Sequence, residues 1–189
     1  MNSIKQIEVL LADRLVGRLA LTKEGLCAFE YAPDWLGSGF SISPFELPLR
    51  SGVFIAKPRP FEGGFGVFDD CLPDGWGLLI VDRYLQQKGI NPRALTLLDR
   101  LALVGSSGRG ALEFRPDHSV VTRQDYADFE KLALEAERIL GSDEYRGKGI
   151  EEFQDRGGSP GGARPKIFAR YEGKEWLVKF RAKRDPQSI

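Results

Sequence analysis

The chain has 189 residues, 42% of them apolar, with Lys+Arg and Asp+Glu both at 27 and a formal charge of zero. That length allows one large domain or two small ones, and the apolar share supports a real core and excludes wholesale disorder. Charge neutrality argues against a chain that grips nucleic acid by itself, because neutralising phosphates takes a cationic surplus or a clear basic face.

The opening MNSIKQIEVLLADR has no apolar stretch bounded by a small-residue cleavage site, so no secretory signal is expected. No run approaches the roughly 20 apolar residues of a spanning helix, and a cytoplasmic setting is expected. Cys27 and Cys71 are isolated and unpatterned, which favours two buried thiols in a reducing compartment over a disulfide. With His118 as the single histidine, a zinc site is not expected.

Residues 4 to 31 read as a β-meander. IEVLLA is followed by a turn at Asp13-Arg14, then LVGRLALT, a turn at Lys23-Glu24-Gly25, and LCAFEYA. Trp35 and Leu36 are expected to fold back over that sheet, and ISPFELPLR leads to another extended piece near GVFIA. Pro58, Pro60, Gly63, Gly64 and Gly66 mark a loop. From Pro73 the period becomes helical: Trp76, Ile80 and Tyr84 recur every fourth residue beside Leu79, and Gly89 after Lys88 reads as a C-terminal cap. A second helix is expected over Leu95 to Val104, then a short strand in GALEFRP ended by Pro116.

Thr122 with Asp125 resembles a capping box opening an amphipathic helix, whose stripe runs Tyr126, Phe129, Leu132, Ala133, Ala136, Ile139 and Leu140. Asp128-Phe129-Glu130 imitates a metal-binding D-F-x motif, but it sits within that helix and reads as helix. After Gly141 the composition turns to charge and glycine up to Gly162, and KIFARY and EWLVKF form a hairpin around Glu172-Gly173. The whole is α+β. It divides into an N-terminal subdomain of β-meander plus helices over 1–116, a connecting amphipathic helix over 117–150, and a glycine-rich loop with strands over 151–189.

RGGSPGGARPK, residues 156–166, is the stretch that bears on chemistry. Gly157 to Gly162 has Walker A spacing, yet Ala163 stands where the lysine is required, and G-x-G-x-x-G is absent. Gly157-Gly158-Ser159-Pro160-Gly161 matches the G-x-S-x-G of hydrolases, but Pro160 lacks the N–H that would serve the oxyanion. A strand is expected after the loop rather than before it, and His118 would be the only possible base. Two readings stay open: a flexible linker, or a flap whose glycine amides approach a nucleotide's phosphates. Lys179 alternates with Val178 and Phe180 in the strand Trp-Leu-Val-Lys-Phe, so it faces away from them, beneath such a flap. A lone ammonium among apolar neighbours calls for an anion unless it snorkels to the surface. Protein kinases use a glycine-rich loop and a strand lysine in this way.

The run GGSPGGARPKIFARYEGKEWLVKF resembles the glycine-rich loop and following strands of the HipA family of serine/threonine kinases, the toxins of bacterial toxin–antitoxin pairs. VGRLAL, FEYAPDWL and ISPFELPLR resemble the small β-rich subdomain that opens those proteins, and FDDCLPDGWG and LALVGSSGRGALEFRP the segments joining it to the kinase core. The resemblance implies that 151–189 is the first part of a kinase N-lobe, with ATP and Mg2+ as ligands. It implies that Lys179 contacts ATP phosphates, that Gly161, Gly162 and Ala163 form the flap, and that Arg164 and Lys166 lead into its outgoing strand. Ser159 stands where the family carries an autophosphorylated serine, and Pro160 departs from the smaller or aliphatic residue expected beside it. The implied partners are a small DNA-binding antitoxin, a protein substrate and a kinase C-terminal lobe, with DNA contacted only indirectly and no membrane.

No catalytic Asp loop or metal-binding Asp/Asn pair follows Lys179, so the 189 residues read as an N-terminal portion, inactive alone, with no catalytic residue and no metal ligand of its own. The alternative is a non-enzymatic interaction module that binds a separate kinase core or the antitoxin. A β-rich scaffold with a glycine linker is the third reading.

Overall fold

The computed structural model describes residues 3–119, 128–142, 145, 147–156 and 162–181. In chain order the elements are β1 (Gln6–Leu11), β2 (Arg14–Leu21), β3 (Cys27–Tyr31), α1 (Pro33–Ser38), β4 (Val53–Ile55) and α2 (Gly66–Asp69). Then come α3 (Gly75–Gln87), α4 (Leu97–Val104) and β5 (Leu112–Arg115). After these follow α5 (Phe129–Gly141), α6 (Gly149–Arg156), β6 (Lys166–Tyr171) and β7 (Lys174–Lys179). The chain forms two compact units, one of Met1–Leu72 with Ala94–Ser119, the other of Pro73–Arg93 with Val120–Ile189. By packing, α3 belongs to the second unit although its sequence lies within the first 116 residues. The fold class is α+β, as the sequence patterns indicate. Among the described residues no helix is long and apolar enough to cross a membrane.

The first unit is a five-stranded antiparallel sheet in the order β4-β3-β2-β1-β5. The meander is where the alternation puts it, but its first turn lies at Ala12-Asp13, both in left-handed backbone with φ of 48° and 60°. That geometry matches strand twist, and it leaves Arg14 free to open β2. Ile7, Val9, Val16, Leu19, Phe29 and Phe114 turn inward and are covered by Trp35 of α1, Phe68 of α2 and Leu98 and Leu101 of α4. Gly17 is required there: a Cβ would stand 2.3 Å from the Glu30 carbonyl oxygen and 2.7 Å from the Phe29 ring. The Tyr31 hydroxyl donates to the Leu47 carbonyl at 2.6 Å and accepts from the Ile42 amide at 3.1 Å, fastening the 42–47 loop to the sheet. Cys27 and Cys71 are free thiols, and burial pushes them up to about 12 and about 11 respectively, the neighbouring Asp70 adding to the second.

The helix expected from Leu95 starts two residues later because Thr96 is its N-cap. Thr96 and Asp99 form a reciprocal capping box, and Asp99 also accepts from the Ile4 amide at 3.1 Å. Burial alone raises the Asp99 carboxyl, but the Thr96 hydroxyl, the Ile4 and Thr96 amides and the charge of His118 outweigh it and hold it below the usual carboxylate range.

The second unit packs α3, α5 and α6 against the β6–β7 hairpin around Trp76, Ile80, Leu132, Ile139, Phe153 and Phe180. Trp76 and Phe153 meet edge to face at 5.1 Å. The buried Arg83 donates to the Ile139 carbonyl at 2.5 Å, satisfying an orphan acceptor in the last turn of α5. The amphipathic stripe is present from Phe129 through Ile139, but Leu140, expected on the core face, is exposed; Asp128 is the N-cap, accepting from the Lys131 amide at 2.9 Å. The Thr122–Asp125 pair and Tyr126 lie outside the described residues. Helix α6 is an addition to the sequence reading. Its Ile150 and Phe153 stand three apart, and both are buried. The hairpin turns at Glu172-Gly173, with φ of 51° and 73°, as its sequence demands.

A carboxyl held low in the fold stabilises it fully above the unfolded value, and that contribution is lost as pH falls through the folded one. Asp99→Asn should therefore cost about 1–2 kcal/mol at neutral pH in urea denaturation. The gap to the wild type should shrink below about pH 4. A gap of constant size across that range would refute the assignment.

Candidate functional site

The structure takes up the glycine-rich stretch at Gly162, and Ser159 and Gly161 lie outside the described residues. Gly162 has a φ of 95°, and both its backbone N–H and its carbonyl are bound by the start of α3. Its N–H donates to Asp74 Oδ1 at 2.8 Å, and its carbonyl accepts from the Trp76 N–H at 3.1 Å. Asp74 is the N-cap residue of α3, yet its side chain makes no capping bond within that helix. The Gly162 carbonyl instead satisfies one of the helix's orphan N–H groups. Gly75, with φ of 44°, lets the two backbones meet: a Cβ there would stand 2.6 Å from the Gly162 carbonyl carbon. Ala163 and Arg164 follow, exposed.

Lys166 opens β6 and is only 7% exposed. A Cβ on Gly162 would come within 3.1 Å of Lys166 Nζ, so this ammonium lies close against the glycine backbone. Lys166 is paired directly with Lys179 across the hairpin, as Phe168 is with Leu177. Opposed residues of an antiparallel ladder share a face, with Cβ atoms about 4.5–5.5 Å apart. One face therefore carries Lys166, Lys179, Phe168 and Leu177, while Ile167, Ala169 and Val178 turn toward the core with the buried Phe180.

Lys179 thus points away from Val178 and Phe180, as its alternation requires, but its surroundings differ from those expected. It is exposed, and Trp176 and Leu177 of the same strand are 53% and 45% exposed. The strand is apolar in sequence without being dry, so desolvation alone creates no demand for an anion at Lys179. The cation withdrawn from solvent is Lys166, which sequence reasoning treated as leading into the outgoing strand. Its signal was the two-residue register that sets it opposite Lys179. Asp74 was missed as well, and its signal was an Asp-Gly pair just before a helical period, a cap that leaves its carboxylate free to bond elsewhere. Among the described residues no group of three or more His, Cys, Asp or Glu side chains is placed to hold a metal ion.

Chemically, two lysines side by side, next to a glycine backbone with one N–H already given to a carboxylate, form a setting for an oxyanion. A family model described as the HipA N-terminal domain matches residues 7–115. The chain belongs to this family. In this HipA-family chain the match runs from β1 to the end of β5 and includes α3, so Asp74 and Gly75 fall inside it. Gly162, Lys166 and Lys179 follow the matched stretch.

The close approach at Gly75 separates two costs that a glycine substitution combines. Gly89 also has positive φ, at 75°, but nothing lies within 4 Å of a Cβ placed on it. Gly89→Ala should cost about 1 kcal/mol from backbone conformation alone. Gly75→Ala should cost at least twice that in chemical denaturation, because it also drives Gly162 off α3. Equal losses would show that the contact contributes nothing.

Proposed function

We propose that this chain supplies the phosphate-gripping part of a HipA-type serine/threonine protein kinase toxin of a toxin–antitoxin pair, with ATP and Mg2+ as its ligands. The observation that carries the reading is the Lys166–Lys179 pair on one face of the β6–β7 hairpin, with Lys166 Nζ against Gly162. A triphosphate laid along that face meets two ammonium donors and the amides of the glycine-rich segment, from which Gly161, Gly162 and Ala163 are the ones assigned. Charge-assisted hydrogen bonds to phosphate are each about twice as strong as neutral ones, and they leave the ligand's reacting end positioned rather than chemically altered. Ser159 is the position assigned to autophosphorylation. A phosphate there would add about 1.5 to 2 negative charges, and repulsion from ATP's own phosphates would expel the loop and silence the kinase. A small DNA-binding antitoxin and a protein substrate complete the reading, with the phosphoryl-accepting chemistry contributed by a kinase C-terminal lobe.

Titration with the non-hydrolysable analogue AMP-PNP in the presence of Mg2+ tests it. Lys166→Ala and Lys179→Ala should each weaken binding by about tenfold or more, the loss of one charge-assisted bond. Identical affinity in the wild type and both variants would overturn the site.

A non-enzymatic interaction module is the second reading, and the first unit favours it by one feature. Phe45 stands fully exposed at the tip of the loop that Tyr31 fastens, with Val53 and Ile55 of β4 more than half exposed. Aromatic residues held on rigid loops are typical anchors of protein interfaces. Phe45→Ser should then weaken capture of a separately produced kinase core or antitoxin by about tenfold or more while leaving AMP-PNP affinity unchanged. Undiminished capture would remove this reading.

A further inference from the structure

The sheet of the first unit ends on one side at β5 and on the other at β4, and the two edges are finished differently. On β5 the side chains that alternate away from the core are charged, Glu113 and Arg115, a usual protection of an open edge against another strand. On β4 the corresponding side chains are Val53 and Ile55, 56% and 60% exposed, with neither charge nor proline in the strand. The backbone of the same two residues is turned outward as well. The Ala56 amide donates to the Cys27 carbonyl at 2.8 Å and Phe54 is opposite Phe29, so the polar groups of Val53 and Ile55 alternate away from β3. No strand among the described residues pairs with them. The surroundings of this edge are cationic. Arg50, Lys57 and Arg59 are exposed, and among the described residues none of them has a carboxylate partner. Glu46, the one carboxylate in residues 40–60, is taken up by the Gly66 amide at 2.9 Å. The Arg50 guanidinium lies over the Phe54 ring at 4.4 Å, on the side of the strand that Val53 and Ile55 turn away from.

We propose that β4 is a docking edge for an extended peptide of apolar–acidic–apolar pattern, taken up as a further strand of the sheet. Main-chain bonds to Val53 and Ile55 hold such a peptide in register, and its side chains alternate across the two faces. The residues opposite Val53 and Ile55 continue their apolar surface, which suits β-branched side chains. The residue opposite Phe54 stands beside the Arg50 guanidinium, where a carboxylate accepts charge-assisted hydrogen bonds. Lys57 and Arg59 extend the same preference past the end of the strand. A lipid surface is also drawn to cations and exposed apolar groups, but it has no ladder of amides to offer the outward N–H and C=O groups of an edge. The inference uses no residue of the phosphate site. It rests on the interaction reading and deepens it by naming the chemistry of the partner.

The test is a titration of the full 189-residue chain, followed by its amide resonances, with the peptide Ac-TVEVDT-NH2. Three comparison probes are used: Ac-TVKVKT-NH2, the acidic peptide N-methylated at both valines, and phosphatidylglycerol–phosphatidylcholine vesicles. The acidic peptide should move the Val53 and Ile55 amide protons downfield. The lysine peptide and the N-methylated peptide should each bind about tenfold more weakly or worse, the first for lost charge pairing and the second for lost main-chain bonds. Arg50→Glu should weaken the acidic peptide by about tenfold or more. Equal binding of the N-methylated peptide would exclude strand pairing, and equal binding of the lysine peptide or by Arg50→Glu would exclude charge complementarity. Any of these overturns the docking edge and leaves the interaction reading standing, because that reading is tested separately by capture with Phe45→Ser. Response to vesicles without response to any peptide would assign the edge to a lipid surface. Line broadening that grows with protein concentration and ignores the peptides would assign it to a second copy of the chain. Both overturn the proposal, as does silence toward every probe.

Discussion

The backbone of one residue, Gly162, organises the second unit. The amide between Gly162 and its predecessor donates to Asp74, and the carbonyl of Gly162 accepts from Trp76. Glycine has more backbone freedom to lose than any other residue, and bonding Gly162 at both polar groups gives β6 a defined entry. Lys166 then follows at a fixed place, its ammonium against Gly162 and its Cα opposite Lys179. Were Gly162 unattached, the two lysines would be ordinary residues on a hairpin surface.

The first unit depends on different physics. Its sheet is closed by aromatic packing, with Phe29 against Tyr31 and Phe68 at 4.9 and 5.5 Å, and by polar fastenings at its margins. Tyr31 secures the loop bearing Phe45, and Asp99 secures the chain near Ile4. These are single polar groups serving several backbone partners at once, the economical way to leave few buried donors or acceptors without a bond. The family assignment rests on this unit and α3, whereas the phosphate proposal rests on residues that come after the matched stretch.

Much of this was legible in the sequence. Period-two alternation located β1, β2, β3 and β5, and the four-residue recurrence of Trp76, Ile80 and Tyr84 located α3. Glu172-Gly173 announced its own turn through the need for left-handed backbone. Helix α6 escaped because its apolar side chains are few and its flanks are glycine and charge, so tertiary packing rather than periodicity supports it. Lys179 looked enclosed because five consecutive letters, Trp-Leu-Val-Lys-Phe, say nothing about whether a strand is covered on one side or two. Exposure is a property of neighbours distant in sequence, and so is the partnership of Asp74 with Gly162.

The order in which the second unit's parts are synthesised follows from its discontinuity. Helix α3 ends at Gln87 and the hairpin begins only at Lys166, with β5, the sheet's last strand to be made, in between. Until α5, α6 and the hairpin are made, the apolar stripe of Trp76 and Ile80 lacks its eventual cover of Leu132, Phe153, Ile167 and Phe180. The first unit has its whole sheet by Arg115 and is free to collapse at once. Nascent chains of this protein thus pass through a stage with a finished β-rich body and an orphaned greasy helix, the stage at which chaperone capture or mispairing between neighbouring nascent chains is most favoured.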